Sequence, residues 1–413
     1  MRIALILACA LIGLLSGPAR AQAPITIGFG MALTGGLAPI GKAALLAMQI
    51  WAEETNAKGG LLGRQVKLIY YDDQSNPATV PGLYTKLLDV DKVDLVVSGY
   101  ATNMVAPAMP VIMQHNRTFV SLFALAANTE FNYPNYFSFT PTGGPQPKQS
   151  FSKGFFEVAM QQDPKPKTIA LVGADAEFPH NALDGARALA KEAGLKVVYD
   201  KSYPPSTTDY TPIVRAIRAS NPDVIYVASY PSDTAGILRA VHEVGLSARL
   251  FGGNLVGLQT TSMKIQLGPL LNGVVVNENW LPSPALRFPG VMDFLARYQA
   301  KAPSEGVDPL GWFLPPFAYA RLQVLQQAVT ATGSLDDAKL ADYVHANSFK
   351  TVVGTVAFGP AGEWTAPRII WTQFRGIQGH DLAQFKDPAT EVVLLPAEYK
   401  SGDLIYPYES SAP

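Results

Sequence analysis

Cysteine and charge are both scarce in this 413-residue sequence. The single cysteine, Cys9, lies near the N-terminus in a segment typical of a cleaved leader. The rest of the chain has no thiol for disulfides, cysteine zinc sites, iron–sulfur clusters or cysteine nucleophiles. Charged residues make up 16% of the chain, below the ~25% of typical soluble proteins. The 32 basic residues nearly balance 33 acidic ones, so the chain has no electrostatic basis for holding a phosphate backbone and we expect no nucleic-acid partner.

Long apolar runs are confined to the leader. Residues 1–21 combine Arg2, an apolar stretch from Ile3 to Leu15 and the small-residue cleavage site Ala19-Arg20-Ala21, which is the pattern of a secretory signal peptide. The stretch is shorter than the ~20 residues that cross a bilayer, which disfavours a membrane anchor. Lipidation at Cys9 would cut the apolar stretch in two and is also disfavoured. We predict that residues 1–21 are cleaved and that the rest of the chain is exported and soluble.

Complete enzyme motifs are missing as well. The segment from Gly36 to Ala43 is close to a phosphate-binding loop, but Ala43 stands where a Ser or Thr must hold magnesium. Gly28 and Gly30 are followed by Leu33, where a dinucleotide-binding fingerprint needs a third glycine. The five histidines have no metal-binding spacing, and no G-x-S-x-G motif occurs after the leader. We therefore expect no catalytic residues, no metal and no cofactor.

The sequence does contain alternating strand and helix patterns. Short apolar strands separated by amphipathic helices predict parallel sheets covered on both faces, an α/β fold. The predicted strands are 25–30, 66–71, 93–97, 118–122, 168–172, 196–199, 223–228 and 249–251. The predicted helices are 40–56, 78–89, 106–115, 182–193, 211–220, 234–244, 288–300, 312–330 and 336–346. Near the end, 351–358 and 368–374 are predicted to form a β pair.

The strand and helix pattern occurs twice, which predicts two lobes of similar topology. Residues 86–100 and 215–230 match in kind, since each runs from a helix end through an apolar strand to a tyrosine. The stretch 134–147 is rich in Pro, Gly and Thr and is the natural first crossing between lobes. Ligands of open α/β sheets bind beyond the carboxyl ends of the strands, so two facing lobes would form a cleft.

A compound motif near the start is the most specific signal. Leu33-Thr34-Gly35 precedes a helix that ends with the run from Glu54 to Gly60 (Glu-Thr-Asn-Ala-Lys-Gly-Gly), followed by Gly63-Arg64. This segment resembles the start of the branched-chain amino-acid-binding (Leu/Ile/Val-binding protein-like) family of periplasmic receptors for ABC transporters, and the resemblance extends from residue 25 to about 375.

The resemblance implies the type I periplasmic binding protein fold, with two doubly wound parallel-sheet lobes joined by three crossovers. The predicted N-terminal lobe comprises residues 24–141 and 278–360. The predicted C-terminal lobe comprises 142–277 and 361–395, and 396–413 form a tail.

The resemblance also implies which loops of the first lobe contact the ligand. Thr102 and Asn103 take the place of family serines that bind a ligand carboxylate, assisted by N–H groups at a helix start. Leu125 replaces the Thr that holds an amino-acid head group, and Ile40 stands where relatives have an aromatic residue. The candidate contacts from this lobe are Ile40, Tyr100, Ala101, Thr102, Asn103, Phe123, Ala124 and Leu125.

In the second lobe the implied contacts are Phe178, His180, Tyr230 and Asn254. Phe178 replaces a family Tyr, and Asn254 replaces the Glu that pairs with a ligand ammonium. An unpaired ammonium in a closed cleft is costly, so we predict a small hydrophobic carboxylate or amide without a free α-amino group, aromatic compounds included. Tyr100, Phe123, Phe178 and Tyr230 would stack on it.

The alternative ligand is a branched-chain or related amino acid, because Asp175 and Glu177 lie close enough in sequence to supply the missing carboxylate. The resemblance implies a periplasmic, monomeric receptor that closes on a small molecule by hinge motion and delivers it to permease subunits in the inner membrane. A ligand-sensing module for a chemoreceptor or kinase is the alternative from another functional class.

Overall fold

The computed structural model describes residues 22–409. The predicted leader, with Cys9, lies outside the described residues, as do residues 410–413. Within 22–409, no helix combines the length and the apolar character needed to cross a membrane.

The secondary structure alternates as expected along most of the chain. The helices are α1 (Ala38–Ala57), α2 (Val80–Thr85), α3 (Thr102–Val105), α4 (Met109–Gln114), α5 (Pro147–Ala159), α6 (Glu177–Glu192), α7 (Thr211–Ala219), α8 (Pro231–Val244), α9 (Thr261–Leu267), α10 (Val291–Glu305), α11 (Pro315–Thr332) and α12 (Asp337–Ala346). The strands are β1 (Ile25–Met31), β2 (Val66–Asp72), β3 (Leu95–Tyr100), β4 (Phe119–Leu122), β5 (Tyr136–Phe137), β6 (Thr168–Ala174), β7 (Lys196–Tyr203), β8 (Val224–Ser229), β9 (Ser247–Ala248), β10 (Leu250–Leu255), β11 (Val275–Glu278), β12 (Ser348–Thr351), β13 (Gly354–Ala357), β14 (Ile370–Phe374), β15 (Glu391–Leu395) and β16 (Tyr408–Glu409).

Two sheets form the centres of two lobes. The first has the order β2-β1-β3-β4-β5, and its strands are all parallel. The second has the order β15-β14-β11-β10-β8-β6-β7, with β14 and β15 antiparallel to their neighbours. Most of these strands are buried along their whole length, as expected for sheets covered by helices on both faces.

The motif at the end of α1 has a direct structural reason. The side chain of Asn56 accepts a hydrogen bond from the Val66 N–H (2.6 Å) and donates one to the Val66 carbonyl (2.9 Å), so it ties the helix end to the start of β2. Gly60 has a φ of +80°, and a Cβ there would lie 1.9 Å from the Arg64 carbonyl oxygen. Only glycine fits this turn.

Helices α5 and α6 pack unusually closely in the second lobe. A Cβ on Gly185 of α6 would lie 2.1 Å from the carbonyl oxygen of Lys148 in α5. Phe151 of α5 and Phe178 of α6 meet edge to face, with ring centroids 5.9 Å apart. The absence of a side chain at Gly185 therefore sets the distance between two helices that carry aromatic residues to the cleft.

The C-terminal segment packs against the second lobe. Strand β16 pairs with β9, and the Tyr408 ring stacks on Phe251 with centroids 5.0 Å apart. The Gln373 side chain exchanges hydrogen bonds with the backbone of Ile405, at 2.8 and 2.9 Å. The predicted tail is thus ordered on this lobe as far as Glu409.

The prediction of a β pair between 351–358 and 368–374 was wrong. Strand β13 pairs with β12 in a separate hairpin, whereas β14 joins the second sheet between β11 and β15. Helices α5 and α9 and strand β11 were not predicted, and the single helix predicted over 78–89 is α2 followed by a wider helical turn over Lys86–Val90.

Three connections pass between the lobes, over residues 138–146, 279–290 and 358–369. Two residues near the predicted lobe boundaries lie in the other lobe from the one to which they were assigned. Glu278, assigned to the first lobe, is the last residue of β11 in the second sheet. Trp364, assigned to the second, is buried in the core of the first. The other limits remain a prediction.

The first and third connections are hydrogen-bonded to each other. The Ser138 N–H donates to the Gly362 carbonyl (2.7 Å), and the Arg368 N–H donates to the Pro141 carbonyl (2.9 Å). Between them, the Thr142 hydroxyl donates to the Glu363 carboxylate at 3.2 Å. Glu363 is only 5% exposed, and burial raises its pKa from 4.5 to about 7.

We expect Glu363 to make the stability of the protein depend on pH. Between its unfolded pKa and about 7, the folded protein holds a proton on Glu363 that the unfolded chain releases. The free energy of unfolding should therefore fall as pH rises through this window and stay level above it. Glu363→Gln keeps the acceptor for Thr142 and should be about 2 kcal/mol more stable than the wild type at pH 8.

Urea unfolding of both proteins at pH 5 and pH 8 checks this expectation. Glu192→Gln, at an exposed position of α6, is the control and should leave the difference between the two pH values unchanged. If the free energy of unfolding changed by the same amount between pH 5 and pH 8 in the wild type and in Glu363→Gln, the expected role of Glu363 would be contradicted.

Candidate ligand-binding site

A small chamber lies where the carboxyl ends of the two sheets face each other. Its volume is about 40 Å³, which is room for about one water molecule. Both lobes contribute to its lining. The lining residues are Tyr100, Ala101, Thr102, Phe123, Leu125, Thr140, Phe151, Phe178, Tyr230, Val256, Gln259, Asn277, Asn279 and Phe313.

Three aromatic rings from each lobe form the walls. From the first lobe, Phe313 meets Tyr100 and Phe123 edge to face, with ring centroids 6.4 and 5.5 Å apart. From the second, Phe178 lies 5.9 Å from Phe151 and 5.5 Å from Tyr230. Such a box offers ring faces and edges to a flat apolar ligand.

Several polar atoms of the lining are free to serve a ligand. Thr102 accepts a hydrogen bond from the Leu125 N–H (2.9 Å), which leaves its own hydroxyl hydrogen available. The Tyr230 hydroxyl and the Asn279 side-chain oxygen are buried with no hydrogen-bond partner among the described residues. Burial also raises the pKa of Tyr230 well above its usual value, so this hydroxyl remains a donor. Buried polar atoms normally have partners, so these two mark the place for a polar ligand group.

No lining residue carries a charge. A buried cation of the first lobe, Arg321, donates to the Ser98 carbonyl at 2.8 Å, two residues before Tyr100. Burial lowers the pKa of Arg321 to about 9, so it is still protonated at neutral pH. The chamber therefore contains no carboxylate for a ligand ammonium, and a positive charge lies behind one wall.

Asn254 lies beneath the chamber and is not part of its lining. Its amide donates to the Asn277 side chain (2.8 Å) and accepts hydrogen bonds from Tyr226 and Ser152. The Gln259 amide donates to the Asn277 carbonyl at 2.9 Å. This buried chain of polar groups holds Asn277 and Gln259 at the chamber floor.

The structure brings together seven of the predicted contacts: Tyr100, Ala101, Thr102, Phe123, Leu125, Phe178 and Tyr230. Asn103 lies at the edge, where its side chain accepts the Phe178 N–H across the cleft (3.2 Å). Ala124 is fully buried, and its N–H donates to the Thr140 hydroxyl. Ile40 lines a separate pocket beside Phe313, and the exposed His180 side chain lies 2.8 Å from the Asp175 carboxylate. A ligand role for these four and for Asn254 remains a prediction.

A second, larger cavity of about 530 Å³ opens on the outer side of Tyr230. Asp175, Glu177 and Asp233 line it, together with Asn103. It contains the carboxylates that the chamber lacks, and Tyr230 is part of both linings. Both cavities lie between the lobes. We take the smaller chamber as the ligand site because six aromatic rings line it and because it contains the unpartnered side-chain oxygen of Asn279 beside the Tyr230 hydroxyl.

Sequence reasoning missed half of the chamber. Phe151 lies on the unpredicted helix α5, and Asn277 and Asn279 lie on or after the unpredicted strand β11. Gln259 and Phe313 come from loops. The apolar run 274–276 followed by Asn277-Glu278-Asn279 was the signal available, since ligands sit at the carboxyl ends of such strands.

Two α/β lobes, three connections and a chamber between facing sheets define a bilobed solute-binding protein. The sequence model of the periplasmic binding protein family matches residues 24–367. The chain therefore belongs to the periplasmic binding protein family, which confirms the predicted family and fold.

Relatives and solved structures agree with this assignment. An "Amino acid binding protein" of Pseudomonas aeruginosa is 24% identical over 87% of this chain and 92% of its own length. A "Leu/Ile/Val-binding protein homolog 3" of Brucella melitensis is 24% identical over 84% and 90%.

Two crystal structures share the fold. One is the substrate-binding protein of a branched-chain amino acid transporter from Streptococcus pneumoniae in complex with isoleucine (TM-score 0.73, 18% identity, 90% of this chain and 100% of that one). The other is an ABC transporter solute-binding protein from R. palustris in complex with 4-hydroxybenzoate (TM-score 0.72, 21% identity, 86% and 94%).

Proposed function

We propose that this protein is the periplasmic substrate-binding component of an ABC uptake transporter and that it binds a small aromatic carboxylate or amide. The ligand class is inferred from the chamber lining, which has six aromatic rings, unpartnered polar atoms and no charged side chain. Family membership supports the transport role. Export through a cleaved leader, a monomeric state and docking to permease subunits are parts of the same proposal, and no catalytic step is included in it.

The small volume of the chamber supports binding by hinge closure. Ligand sites are usually ~300–1,000 Å³, whereas this chamber is about 40 Å³. A ligand therefore enters only when the lobes separate, and its contacts to both walls then favour the closed form. The paired connections 138–146 and 358–369 are the natural hinge.

The electrostatics favour an acid or amide over an amino acid. An ammonium in the chamber would have no carboxylate partner in the lining, and an unpaired buried charge is strongly unfavourable. A carboxylate or amide oxygen can accept from Thr102, from Tyr230 and from N–H groups at the start of α3, with Arg321 behind the same wall.

A branched-chain or related amino acid is the second candidate. The observation in its favour is the outer cavity, where Asp175 and Glu177 lie on the far side of Tyr230. An amino acid could place its side chain among the rings and its ammonium towards these carboxylates. The R. palustris and S. pneumoniae complexes show that one fold accommodates both ligand classes.

A calorimetric and thermal-shift screen separates the two candidates. We expect benzoate, 4-hydroxybenzoate or the corresponding amides to raise the unfolding midpoint in proportion to the logarithm of their concentration. Leucine and isoleucine should give no shift. Tight leucine binding that 4-hydroxybenzoate does not displace would overturn the proposed ligand class, and no response to any compound would count against a small-molecule receptor.

Cell fractionation with N-terminal sequencing of the exported chain tests its location. Copurification with permease subunits tests the transport role against the alternative of a sensory module.

A further inference from the structure

One carboxylate of the first lobe is hydrogen-bonded to a helix of the second, and it does not line the outer cavity. Asp308 lies in the loop between α10 and α11, and Thr261 is the first residue of α9. The carboxylate accepts the Thr261 N–H at 2.6 Å through one oxygen and the Thr261 hydroxyl at 2.8 Å through the other. Both bonds pass directly from lobe to lobe.

The same carboxylate also holds its own loop. The N–H groups of Leu310 and Gly311 donate to the Asp308 oxygen that accepts the Thr261 hydroxyl, each at 2.9 Å. Two residues later, Phe313 forms part of the chamber wall against Phe123. Asp308 is therefore connected both to the other lobe and to the wall of the ligand chamber.

Two amide side chains also bond across the cleft, and they are weaker partners. Asn103 accepts the Phe178 N–H at 3.2 Å, and Asn181 donates to the Leu125 carbonyl at 3.0 Å. Hydrogen bonds to an ionised acceptor are shorter and roughly twice as strong as those between neutral groups. Of these three polar contacts between the lobes, the one between Asp308 and Thr261 is therefore the strongest.

The local structure of α9 explains why the contact depends on closure. The first N–H groups of a helix have no partner within it. The hydroxyl of the preceding residue, Thr260, is turned away and donates to the Gly257 carbonyl at 2.7 Å. When the lobes separate, the Thr261 N–H loses its bond to Asp308. The Thr260 side chain does not replace it, because it makes no capping hydrogen bond to the start of α9.

We infer that Asp308 is a positioning residue for ligand binding: it latches the lobes in the closed form through Thr261 and fixes the loop that carries Phe313. The inference rests on the proposed hinge closure but not on the identity of the ligand. It assigns part of the closing free energy to a contact that the ligand does not touch.

Distance measurements in the full chain without ligand test the latch. Spin labels on Lys58→Cys in the first lobe and Lys191→Cys in the second, both exposed, report the separation by pulsed electron resonance in a Cys9→Ser background. Asp308→Asn keeps an oxygen for Leu310 and Gly311 but loses the second acceptor. We expect both Asp308→Asn and Thr261→Val to lower the ratio of closed to open molecules by about tenfold.

Two matched variants serve as controls. Thr261→Ser keeps the hydroxyl and should retain the wild-type distances. Thr260→Val removes a neighbouring hydroxyl that bonds within its own lobe and should also leave them unchanged. Unchanged distances in Asp308→Asn, or equal shifts in Thr260→Val and Thr261→Val, would overturn the latch.

Titration of the same variants with 4-hydroxybenzoate separates the latch from the ligand proposal. A distance shift in Asp308→Asn without any binding of the acid by the wild type would support the latch and count against the ligand class. Binding of the acid with equal affinity to the wild type and Asp308→Asn would support the ligand class and overturn the latch.

Discussion

Tyr230→Phe is expected to weaken binding of the aromatic ligand by up to about 100-fold without lowering the stability of the ligand-free protein. The Tyr230 hydroxyl is buried and its hydrogen has no acceptor among the described residues, so its removal costs the folded chain at most a weak contact with the Asn103 N–H. In the complex it would donate to the ligand oxygen, and a hydrogen bond to a charged group contributes about 1.5–3 kcal/mol. Isothermal titration calorimetry and thermal unfolding measure the two effects separately.

Tyr203→Phe is the matched control for this experiment. The Tyr203 hydroxyl bonds to the buried Asp233 carboxylate at 3.3 Å and lies outside the chamber lining. Its loss should lower stability and leave ligand affinity unchanged, the reverse of the Tyr230 result. Equal affinities of Tyr230→Phe and the wild type would show that this hydroxyl does not contact the ligand.

Gly185→Ala is expected to destabilise the protein by about 3 kcal/mol or more through overpacking, although alanine is normally the better helix former. A Cβ at this position of α6 would lie 2.1 Å from the Lys148 carbonyl oxygen, and backbone cannot move aside as a flexible side chain does. The two helices must shift apart, which disrupts packing along their whole contact. Chemical denaturation monitored by circular dichroism gives the change in unfolding free energy.

Gly82→Ala provides the opposite case within the same chain. Gly82 lies in α2, is exposed, and has no atom within 4 Å of a Cβ built there. This substitution should stabilise the protein by up to about 1 kcal/mol. If Gly185→Ala proved as stable as Gly82→Ala, the close packing of α5 on α6 would not hold in solution.

The Gly185 variant also connects stability with the site. Phe151 and Phe178 are carried by the two helices that Gly185 brings together. Separation of the helices should widen the second-lobe wall, so we expect weaker ligand binding even under conditions where the variant remains folded.

The parts of the fold that the sequence predicted are those fixed by local pattern. Apolar runs and helix stops located β1, β2 and α1 to within two residues, because Asn56 and Gly60 act within a few residues of the turn they form. Partners of strands remote in sequence have no such local signal. The residues of β14 were paired with the wrong strand because one of its neighbours, β11, lies about a hundred residues earlier and the other, β15, was not predicted.

The strand that contains Asn254 is longer than predicted. The predicted strand ended at residue 251, and the family resemblance therefore placed Asn254 in the loop after it. Gly252 and Gly253 instead lie inside the sheet, where a Cβ on Gly252 would be 1.8 Å from the Val275 carbonyl oxygen. Strand β10 continues to Leu255, and this carries the Asn254 side chain to the polar layer beneath the chamber.

The candidate site was predicted best where it follows a predicted strand. Tyr100 is the last residue of β3, Thr102 lies two residues beyond it and Phe123 directly follows β4. The carboxyl ends of neighbouring parallel strands meet at one edge. Phe151 and Phe313 reach the chamber from a helix and a long loop, and their positions depend on the packing of whole elements. No short sequence pattern identifies such residues.

The pairing of β16 with β9 places the two ends of the described chain on different lobes. The first described strand belongs to one lobe, while the last is fastened to the other by Tyr408. Fluorescent proteins fused to the two ends of the exported chain would therefore move with different lobes, and closure would change the energy transfer between them. The protein could serve as an optical sensor for its ligand without any alteration inside the cleft.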